Sequence, residues 1–155
     1  MILRPYQEQM VSKAVAALKK HGDTLAVAPT GAGKTVLLSA LAGRVGGKQL
    51  ILQHRDELTF QNAKKYREVN PRVRVGMFNA DIKDWKGDAT FAMVQTLCRD
   101  RALSTIPKLD LLVIDEAHHA VAPSYRKVVD AVRDKNPDCR IFGVTATPAR
   151  GDGKG

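Results

Sequence analysis

Two short segments of the chain contain residues suited to binding and hydrolysing a nucleoside triphosphate. The first is Ala-Pro-Thr-Gly-Ala-Gly-Lys-Thr at residues 28–35, and the second is Asp-Glu-Ala-His at residues 115–118. Glycines let backbone N–H groups approach phosphate oxygens closely, and a following lysine adds a positive charge. An acidic residue that ends an apolar strand is suited to holding Mg²⁺. Together the two segments predict a site for a triphosphate and Mg²⁺.

The first segment predicts which residues contact the phosphates. Lys34 is expected to reach the β- and γ-phosphates, and the Thr35 hydroxyl is expected to ligate Mg²⁺. The predicted phosphate-binding residues are Thr30, Gly31, Ala32, Gly33, Lys34 and Thr35. The usual pattern begins with glycine where this chain has Ala28, so that position must accommodate a Cβ. A chance turn is the alternative, but the segment lies between a predicted strand and a predicted helix, as the motif requires.

The second segment follows the apolar run from Leu111 to Ile114. Ligands of open α/β sheets bind at the carboxyl ends of the strands, where such acidic residues lie. Asp115 is predicted to hold Mg²⁺ directly or through water, and Glu116 to orient and deprotonate the attacking water. The predicted catalytic residues are therefore Glu116, Lys34 and Asp115. The alternative is that the two acidic residues merely end a strand.

Alternating strand and helix patterns are predicted to position both segments. Apolar runs typical of strands occupy residues 24–28, 49–53, 73–78, 89–94, 110–114 and 140–145. Helical patterns occupy residues 5–20, 34–45, 56–69 and 95–103, and another helix begins at Ser124, which can cap it. Strands separated by helices require crossover connections, which favour an α/β fold with a mostly parallel central sheet. The apolar stripe of the first helix includes Tyr6, which predicts core packing for that side chain.

The composition is that of a one-domain protein, and its basic charge favours an anionic partner. The chain has 155 residues, and 25 Lys and Arg against 16 Asp and Glu give a net charge of +9. This balance favours nucleic acid or a phosphorylated ligand, with a solubilising surface as the alternative. Cys98 and Cys139 are distant in sequence and favour free thiols. Because no apolar run reaches the ~20 residues of a membrane span, we expect a cytoplasmic protein without a membrane partner.

Four further segments complete a resemblance to the superfamily 2 helicases and translocases. They are Leu3-Arg4-Pro5-Tyr6-Gln7, Gln53-His54-Arg55-Asp56-Glu57-Leu58 with Gln61, Val94-Gln95-Thr96-Leu97, and Val144-Thr145-Ala146-Thr147-Pro148. In this order they resemble the glutamine motif, motif Ia, the next nucleic-acid motif and motif III. The branch that they resemble is shared by the motor subunits of type III restriction enzymes and by DEAH-type helicases.

The resemblance implies a domain organisation. Residues 1–149 would form an N-terminal RecA-like P-loop NTPase domain of three layers, and residues 150–155 would begin a linker. A second RecA-like lobe, absent from this chain, would supply arginines that complete the ATP site. We therefore expect the isolated lobe to be weakly active or inactive, since such an arginine is typically worth about 10³–10⁵ in rate.

The resemblance also implies contacts with the base and with nucleic acid. Gln7 would read the adenine of ATP, because an amide can donate and accept at once. Arg55, Gln95 and Thr96 would contact the sugar-phosphate backbone of a single- or double-stranded nucleic acid, which positions a strand without reading its sequence. The alternatives are an exposed helix residue for Gln7 and a surface salt bridge for Arg55.

Coupling between the two ligands is expected to involve motif III. Thr145 and Thr147 would relay the nucleotide state, and His118 would link the ATP site to motif III or to a partner lobe. The other histidines, His21, His54 and His119, have no ligand-like spacing and predict no protein metal site. Trp85 lies among charged residues and is predicted to be buried or in a partly exposed turn, with a stacking platform for bases as the alternative.

The expected function is that of the first motor lobe of an ATP-dependent nucleic-acid helicase or translocase, with DNA favoured over RNA. One alternative is the motor of a restriction enzyme that translocates without unwinding. A small-molecule P-loop kinase would need a substrate lid, which residues 119–139 do not provide. A non-catalytic nucleic-acid-binding module is disfavoured because Lys34, Thr35, Asp115 and Glu116 are all present.

Overall fold

A computed structural model describes residues 3–28, 31–54 and 59–146, without the side chains of residues 31 and 32. The helices are α1 (Pro5–His21), α2 (Gly31–Val45), α3 (Thr59–Val69), α4 (Val94–Leu97), α5 (Asp100–Leu103) and α6 (Pro123–Lys135). The strands are β1 (Asp23–Ala28), β2 (Gln49–Gln53), β3 (Val75–Phe78), β4 (Ala89–Met93), β5 (Leu111–Asp115) and β6 (Arg140–Ala146). A short 3₁₀ helix, Ala117–His119, follows β5.

The six strands form one sheet in the order β1-β6-β5-β2-β4-β3. Neighbouring strands pair in parallel throughout, which confirms the predicted α/β fold. The carboxyl ends of parallel strands meet at one edge of a sheet, where ligands of such folds bind. Ala28, Gln53 and Asp115 end three of the strands and are therefore brought together at this edge.

Both faces of the sheet are covered, so the fold has three layers. Successive side chains of a strand point to opposite faces. Leu50 and Leu52 of β2 pack beneath α4 and α6, whereas Ile51 packs beneath α1, α2 and α3. The same alternation in β5 separates Val113 from Ile114. This double burial explains why the strands read as continuous apolar runs rather than alternating ones.

Local expectations are mostly confirmed, with three corrections. Tyr6 is 50% exposed rather than in the core, because the buried stripe of α1 begins at Val11 and continues through Ala14 and Leu18. The predicted helix over residues 95–103 is two short helices, α4 and α5. The N-cap of α6 is Ala122, one residue before the proline at its start, and not Ser124. Among the described residues, no helix is long and apolar enough to cross a membrane.

The turn from α2 to β2 depends on two consecutive glycines in the left-handed region. Gly46 has φ of 72° and Gly47 has φ of 77°. A Cβ on Gly46 would meet nothing within 4 Å, whereas a Cβ on Gly47 would lie 2.5 Å from Asp110 Oδ2. The same oxygen accepts a 2.9 Å hydrogen bond from the Lys48 N–H. The carboxylate of Asp110 therefore fixes the start of β2 through this close approach.

Substituting each glycine by alanine separates backbone strain from the close approach. We expect Gly46→Ala to lower the free energy of unfolding by about 1 kcal/mol, because only the left-handed backbone is penalised. Gly47→Ala should cost about 1–2 kcal/mol more, because it also displaces Asp110 from Lys48. Urea denaturation followed by circular dichroism measures both values. Equal losses in the two variants would contradict a role for Asp110.

Candidate active site

The predicted phosphate loop leads from the sheet edge into the first turn of α2. β1 ends at Ala28, and α2 begins at Gly31. The first N–H groups of a helix have no partner within the helix, and its dipole is positive at this end, so the start of α2 is suited to an anion. Gly31 and Ala32 form the first two helical positions, and Lys34 follows in the same turn. Thr30 lies outside the described residues.

Lys34 lies between the two acidic residues that follow Ile114. Its Nζ is 2.7 Å from Asp115 Oδ1 and 3.2 Å from Glu116 Oε2. Lys34 is 6% exposed and Asp115 is 3% exposed, so this contact is shielded from water. Burial alone would lower the pKa of Lys34, but the hydrogen bonds and negative charges of Asp115 and Glu116 outweigh it and raise that pKa above its usual value. Lys34 is therefore a cation at any physiological pH.

A chain of hydrogen bonds joins Asp115 to Thr35. Gln53 Nε2 donates to Asp115 Oδ2 over 3.0 Å, and Asn62 Nδ2 donates to Gln53 Oε1 over 2.8 Å. Asn62 Nδ2 also lies 3.5 Å from Asp115 Oδ2. The Thr35 hydroxyl donates to Asn62 Oδ1 over 3.3 Å. The two predicted metal ligands are therefore held by side chains from β2 and α3.

This set of donors fits Mg²⁺. Mg²⁺ prefers hard oxygen ligands and is usually bound through one or two protein groups together with the phosphates of a nucleotide. Thr35 and Asp115 offer a hydroxyl and a carboxylate, linked through Asn62. The described residues contain no group of three His, Cys, Asp or Glu residues that could hold a metal ion by themselves.

Glu116 adopts a backbone conformation that non-glycine residues rarely use. Its φ of 56° and ψ of 55° lie in the left-handed region, and it is the one non-glycine residue with positive φ in the part of the chain that the structure describes. Such a conformation typically costs about 1 kcal/mol and is common at functional sites. It turns the chain sharply after β5. The Glu116 side chain consequently reaches Lys34 while remaining 36% exposed to solvent.

The structure joins His118 to motif III. His118 Nδ1 lies 3.1 Å from Thr145 Oγ1 and 3.9 Å from Glu116 Oε1. β6 approaches this turn closely at Gly143, where a Cβ would lie 2.9 Å from the Ala117 Cβ. His118 thus contacts both a predicted catalytic residue and a predicted coupling residue. Thr147 lies outside the described residues.

Gln7 lies beside the phosphate loop. It lines a groove of about 240 Å³ together with Tyr6, Met10, Gly33 and Val36. Gln7 Oε1 accepts a 2.8 Å hydrogen bond from the Arg4 N–H and so caps the start of α1. This contact orients the amide, and it leaves the amide hydrogens of Gln7 able to donate to a ligand. Because the resemblance implies that Gln7 reads the adenine of ATP, this groove is the predicted site of the adenine.

The predicted nucleic-acid residues lie on the other half of the sheet. Gln95 is exposed and Thr96 is half-buried on α4, which follows β4 directly. β4 is separated from β5 by β2. Arg55 lies outside the described residues. Gln95 and Thr96 therefore lie at the same sheet edge as the predicted nucleotide site, on the opposite side of β2.

Sequence reasoning missed two features of the site. Asn62, which links Thr35 to Asp115, belongs to no recognised motif. Three histidines assigned no common role also come together, since the rings of His54 and His119 stack at 4.0 Å with 12° between their planes. His118 packs 4.1 Å from His119. A polar residue on the buried face of α3 is the signal that could have identified Asn62.

The chain is similar to known proteins over almost its whole length. The family model described as type III restriction enzyme, res subunit, matches residues 1–150. A relative from Schizosaccharomyces pombe named "Putative mitochondrial ATP-dependent helicase irc3" is 36% identical over 165 residues, which cover 99% of this chain and 27% of that protein. The Saccharomyces cerevisiae relative named "Putative ATP-dependent helicase IRC3" is 33% identical over 168 residues, covering 97% of this chain and 24% of that protein.

Solved structures share the fold. The Pyrococcus furiosus Hef helicase domain has a TM-score of 0.74 and 26% identity, over 96% of this chain and 34% of that chain. The Sulfolobus solfataricus SWI2/SNF2 ATPase core, solved in complex with dsDNA, has a TM-score of 0.70 and 22% identity, over 99% of this chain and 33% of that chain. This chain therefore spans about a quarter of the curated relatives and a third of these structures.

The role of Asn62 can be tested in the isolated chain. We expect Asn62→Ala to weaken the binding of a Mg²⁺-nucleotide about 10-fold or more, because groups that orient metal ligands typically contribute that much. Gln61→Ala is the matched control, since Gln61 is the exposed neighbour on the same helix. Titration with a fluorescent ATP analogue at several Mg²⁺ concentrations measures the difference. An unchanged affinity in Asn62→Ala would show that the hydrogen-bond chain does not support the site.

Proposed function

The chain belongs to the family described as type III restriction enzyme, res subunit, and has the RecA-like fold of superfamily 2 helicases; on this premise we propose that it is the ATP-binding first motor lobe of a nucleic-acid helicase or translocase. The observation that supports the proposal most directly is the contact of Lys34 with Asp115 and Glu116 at the start of α2. A lysine, two carboxylates and a helix N-terminus meet at one point of the sheet edge. This combination is suited to a metal-bound triphosphate.

Binding of ATP would redistribute the charges around Lys34. Without a nucleotide, its ammonium compensates the carboxylates of Asp115 and Glu116. A triphosphate adds about four negative charges, and Lys34 is the buried cation placed to meet them. Thr35 and Asp115 would hold Mg²⁺, which supplies further neutralisation of the phosphate charge. The adenine would lie in the groove beside Gln7.

Hydrolysis requires a base for the attacking water. Glu116 is the carboxylate that remains partly exposed beside buried Lys34 and Asp115, so water reaches it. In the proposed step, the water oxygen bonds to the γ-phosphorus, the bond to the β–γ bridging oxygen breaks, and Glu116 accepts a water proton. ADP and phosphate are the products. Release of the Glu116 proton to solvent completes the cycle.

The contact between His118 and Thr145 would transmit the state of this site. Glu116, His118 and Thr145 form a continuous path from the predicted base to the end of β6. The segment that resembles motif III, residues 144–148, begins within β6 and continues past its end. Movement of this path with the nucleotide would alter the nucleic-acid surface, so that hydrolysis moves the lobe along a strand.

The complete motor would require a second lobe. Because the chain spans about a quarter of its curated relatives, the proposal assigns it the first lobe alone, with a second RecA-like lobe supplying the remaining arginines. DNA is favoured as the track, since a Haloarcula marismortui relative that is 31% identical over 96% of this chain is named "Putative DNA 3'-5' helicase Rad25". Translocation without unwinding is the rival within the same class, and strand displacement by the full-length protein separates the two. Cytoplasmic localisation and the DEAH subtype remain predictions.

Glu116→Gln tests the catalytic assignment in the full-length protein. We expect the ATPase kcat to fall at least about 100-fold, because the amide cannot accept the proton, whereas ATP affinity should change little. Lys34→Ala should instead abolish nucleotide binding. Steady-state hydrolysis with single-stranded DNA and equilibrium binding of an ATP analogue measure the two effects. Unchanged hydrolysis in Glu116→Gln would refute the proposed base.

His118→Ala and Thr145→Val test the coupling path. Each change removes one side of the same 3.1 Å contact, so the double variant should reduce nucleic-acid stimulation of the ATPase no further than either single variant. His21→Ala is the control, because His21 is exposed at the end of α1. The ratio of stimulated to basal hydrolysis is the measurement. Additive losses would mean that the two residues act independently.

A further inference from the structure

A second groove opens at the sheet edge, away from the nucleotide site. It lies beyond the carboxyl ends of β3 and β4 and has a volume of about 420 Å³. Its lining includes two aromatic residues, two threonines and three basic residues, which are Phe78, Trp85, Thr96, Thr105, Lys83, Arg99 and Arg101. A cavity of this size with an apolar lining and a few polar groups is typical of ligand sites.

The half-buried ring of Trp85 forms an apolar floor, and the buried ring of Phe78 supports it from beneath. The ring centroids of Phe78 and Trp85 lie 5.0 Å apart with 37° between their planes. Trp85 Nε1 donates a 3.0 Å hydrogen bond to the Thr105 hydroxyl, which satisfies the polar edge of the indole. The orientation of Trp85 is therefore fixed before any ligand binds. A planar aromatic ligand would meet a preformed surface.

The rim of the groove is positively charged. Arg99 and Arg101 are both exposed, and the part of the chain that the structure describes offers neither side chain a hydrogen-bond or ion-pair partner. No acidic side chain lines the groove within the described residues. Asp100, between the two arginines, lines a different groove beside α6. Two unpaired guanidinium groups above an aromatic floor are suited to a ligand that combines anionic and planar aromatic parts.

The third cation is held close to the floor. Lys83 donates hydrogen bonds to the backbone carbonyls of Asn79 and Ala80, and its Nζ lies 5.6 Å from the centre of the Phe78 ring. These contacts close the loop between β3 and β4 over one side of the groove. Lys83 thereby adds positive charge next to the rings, and the ranges that the structure describes contain no acidic partner for it.

Thr96 connects this groove to the expected nucleic-acid surface. It lines the groove from α4, next to Gln95, and both residues belong to the segment that resembles a nucleic-acid motif. A strand whose backbone passes Gln95 and Thr96 would meet Arg99 and Arg101 in the same groove, because Thr96 and both arginines line it.

We propose that the groove binds one unstacked base and the flanking phosphates of a single-stranded nucleic acid, with the base on Trp85 and the phosphates at Arg99 and Arg101. The inference rests on the proposed function and extends it to residues outside the motifs. A single strand exposes the faces of its bases, whereas a duplex stacks them against each other. The groove therefore distinguishes single-stranded from duplex nucleic acid.

Trp85 itself reports on the proposed contact, because it is the only tryptophan of the chain. The chain has a hydrophobic core on each face of its sheet, so we expect it to fold and to be usable for binding measurements by itself. We expect single-stranded oligonucleotides of DNA and of RNA to quench the fluorescence of Trp85 saturably, and a duplex of the same sequence to quench it far less. Comparison of the two single strands shows which sugar is preferred. Equal quenching by the duplex would overturn the proposal.

Substitutions test which groove residues contribute to the affinity for a single strand. Binding of a labelled single strand, followed by anisotropy, should weaken about 5-fold or more in Trp85→Ala, whereas Trp85→Phe should retain most of the affinity. Arg99→Ala and Arg101→Ala should each weaken binding more than Arg67→Ala, an exposed control on α3. Thermal unfolding identifies any variant that fails to fold. If Trp85→Ala fails to fold, the affinities of Arg99→Ala and Arg101→Ala test the proposal. Equal losses in all three arginine variants would indicate only attraction to the net charge of +9 and would overturn the proposal.

The test of the groove proposal can fail without a failure of the proposed function, and the reverse is also true. Binding of an ATP analogue to the same preparations reports the nucleotide site independently of the groove. If ATP binds and the single strand binds without quenching Trp85, the groove proposal fails and the motor assignment stands. If the full-length protein neither binds nor hydrolyses ATP, the motor assignment fails whatever Trp85 reports.

Discussion

The ion pair between Lys34 and Asp115 is the interaction on which the arrangement of the site depends. Both groups are almost fully buried at a separation of 2.7 Å. Removing one partner from a buried pair typically costs about 3–5 kcal/mol, because the other charge is left in a medium that solvates it poorly. The first turn of α2 and the end of β5 are therefore held together before any ligand arrives. Glu116 adds a second negative group without being buried itself.

The parallel sheet explains how distant parts of the chain meet at this pair. The carboxyl ends of all six parallel strands lie on one edge, so Lys34 after β1, Gln53 of β2 and Asp115 of β5 converge without long loops. Burial of both sheet faces leaves this edge as the place where polar groups can remain next to solvent. The left-handed backbone of Glu116 is tolerated there because the ion pair and the β6 packing fix the residues around it.

Much of the fold and of the candidate site could be predicted from the sequence, because the apolar runs and motifs that indicate them are short continuous segments. The apolar runs gave the strands, and the types and spacing of Lys34, Asp115 and Glu116 gave the core of the site. The features that escaped prediction depend on side chains distant in the sequence. Asn62 reaches Thr35 and Asp115 from another helix, and the stacked histidines lie 65 positions apart at His54 and His119. No local periodicity of the sequence predicts contacts between residues that lie so far apart in the chain.

Tyr6 shows the opposite failure, in which a local pattern was misleading. A spacing of four residues places Tyr6 in line with Met10, yet the end of a helix can extend past the layer that it covers. The buried stripe begins only at Val11, and Tyr6 instead lines the groove shared with Gln7 and Gly33. Periodicity identifies the face of a helix, but the sheet decides how much of that face is covered.

The end of β2 is the part of the fold that touches both halves of the functional edge. Gln53, its last residue, donates to Asp115, and the next residue, His54, stacks on His119 beside the predicted coupling residue His118. β2 also lies between β5, which bears the predicted metal ligand Asp115, and β4, which leads into Gln95 and Thr96. A shift of Asp115 would displace Gln53, because the two side chains are hydrogen-bonded over 3.0 Å. The end of β2 thus lies between the two predicted binding regions, and coupling through it would require this element to have two discrete arrangements.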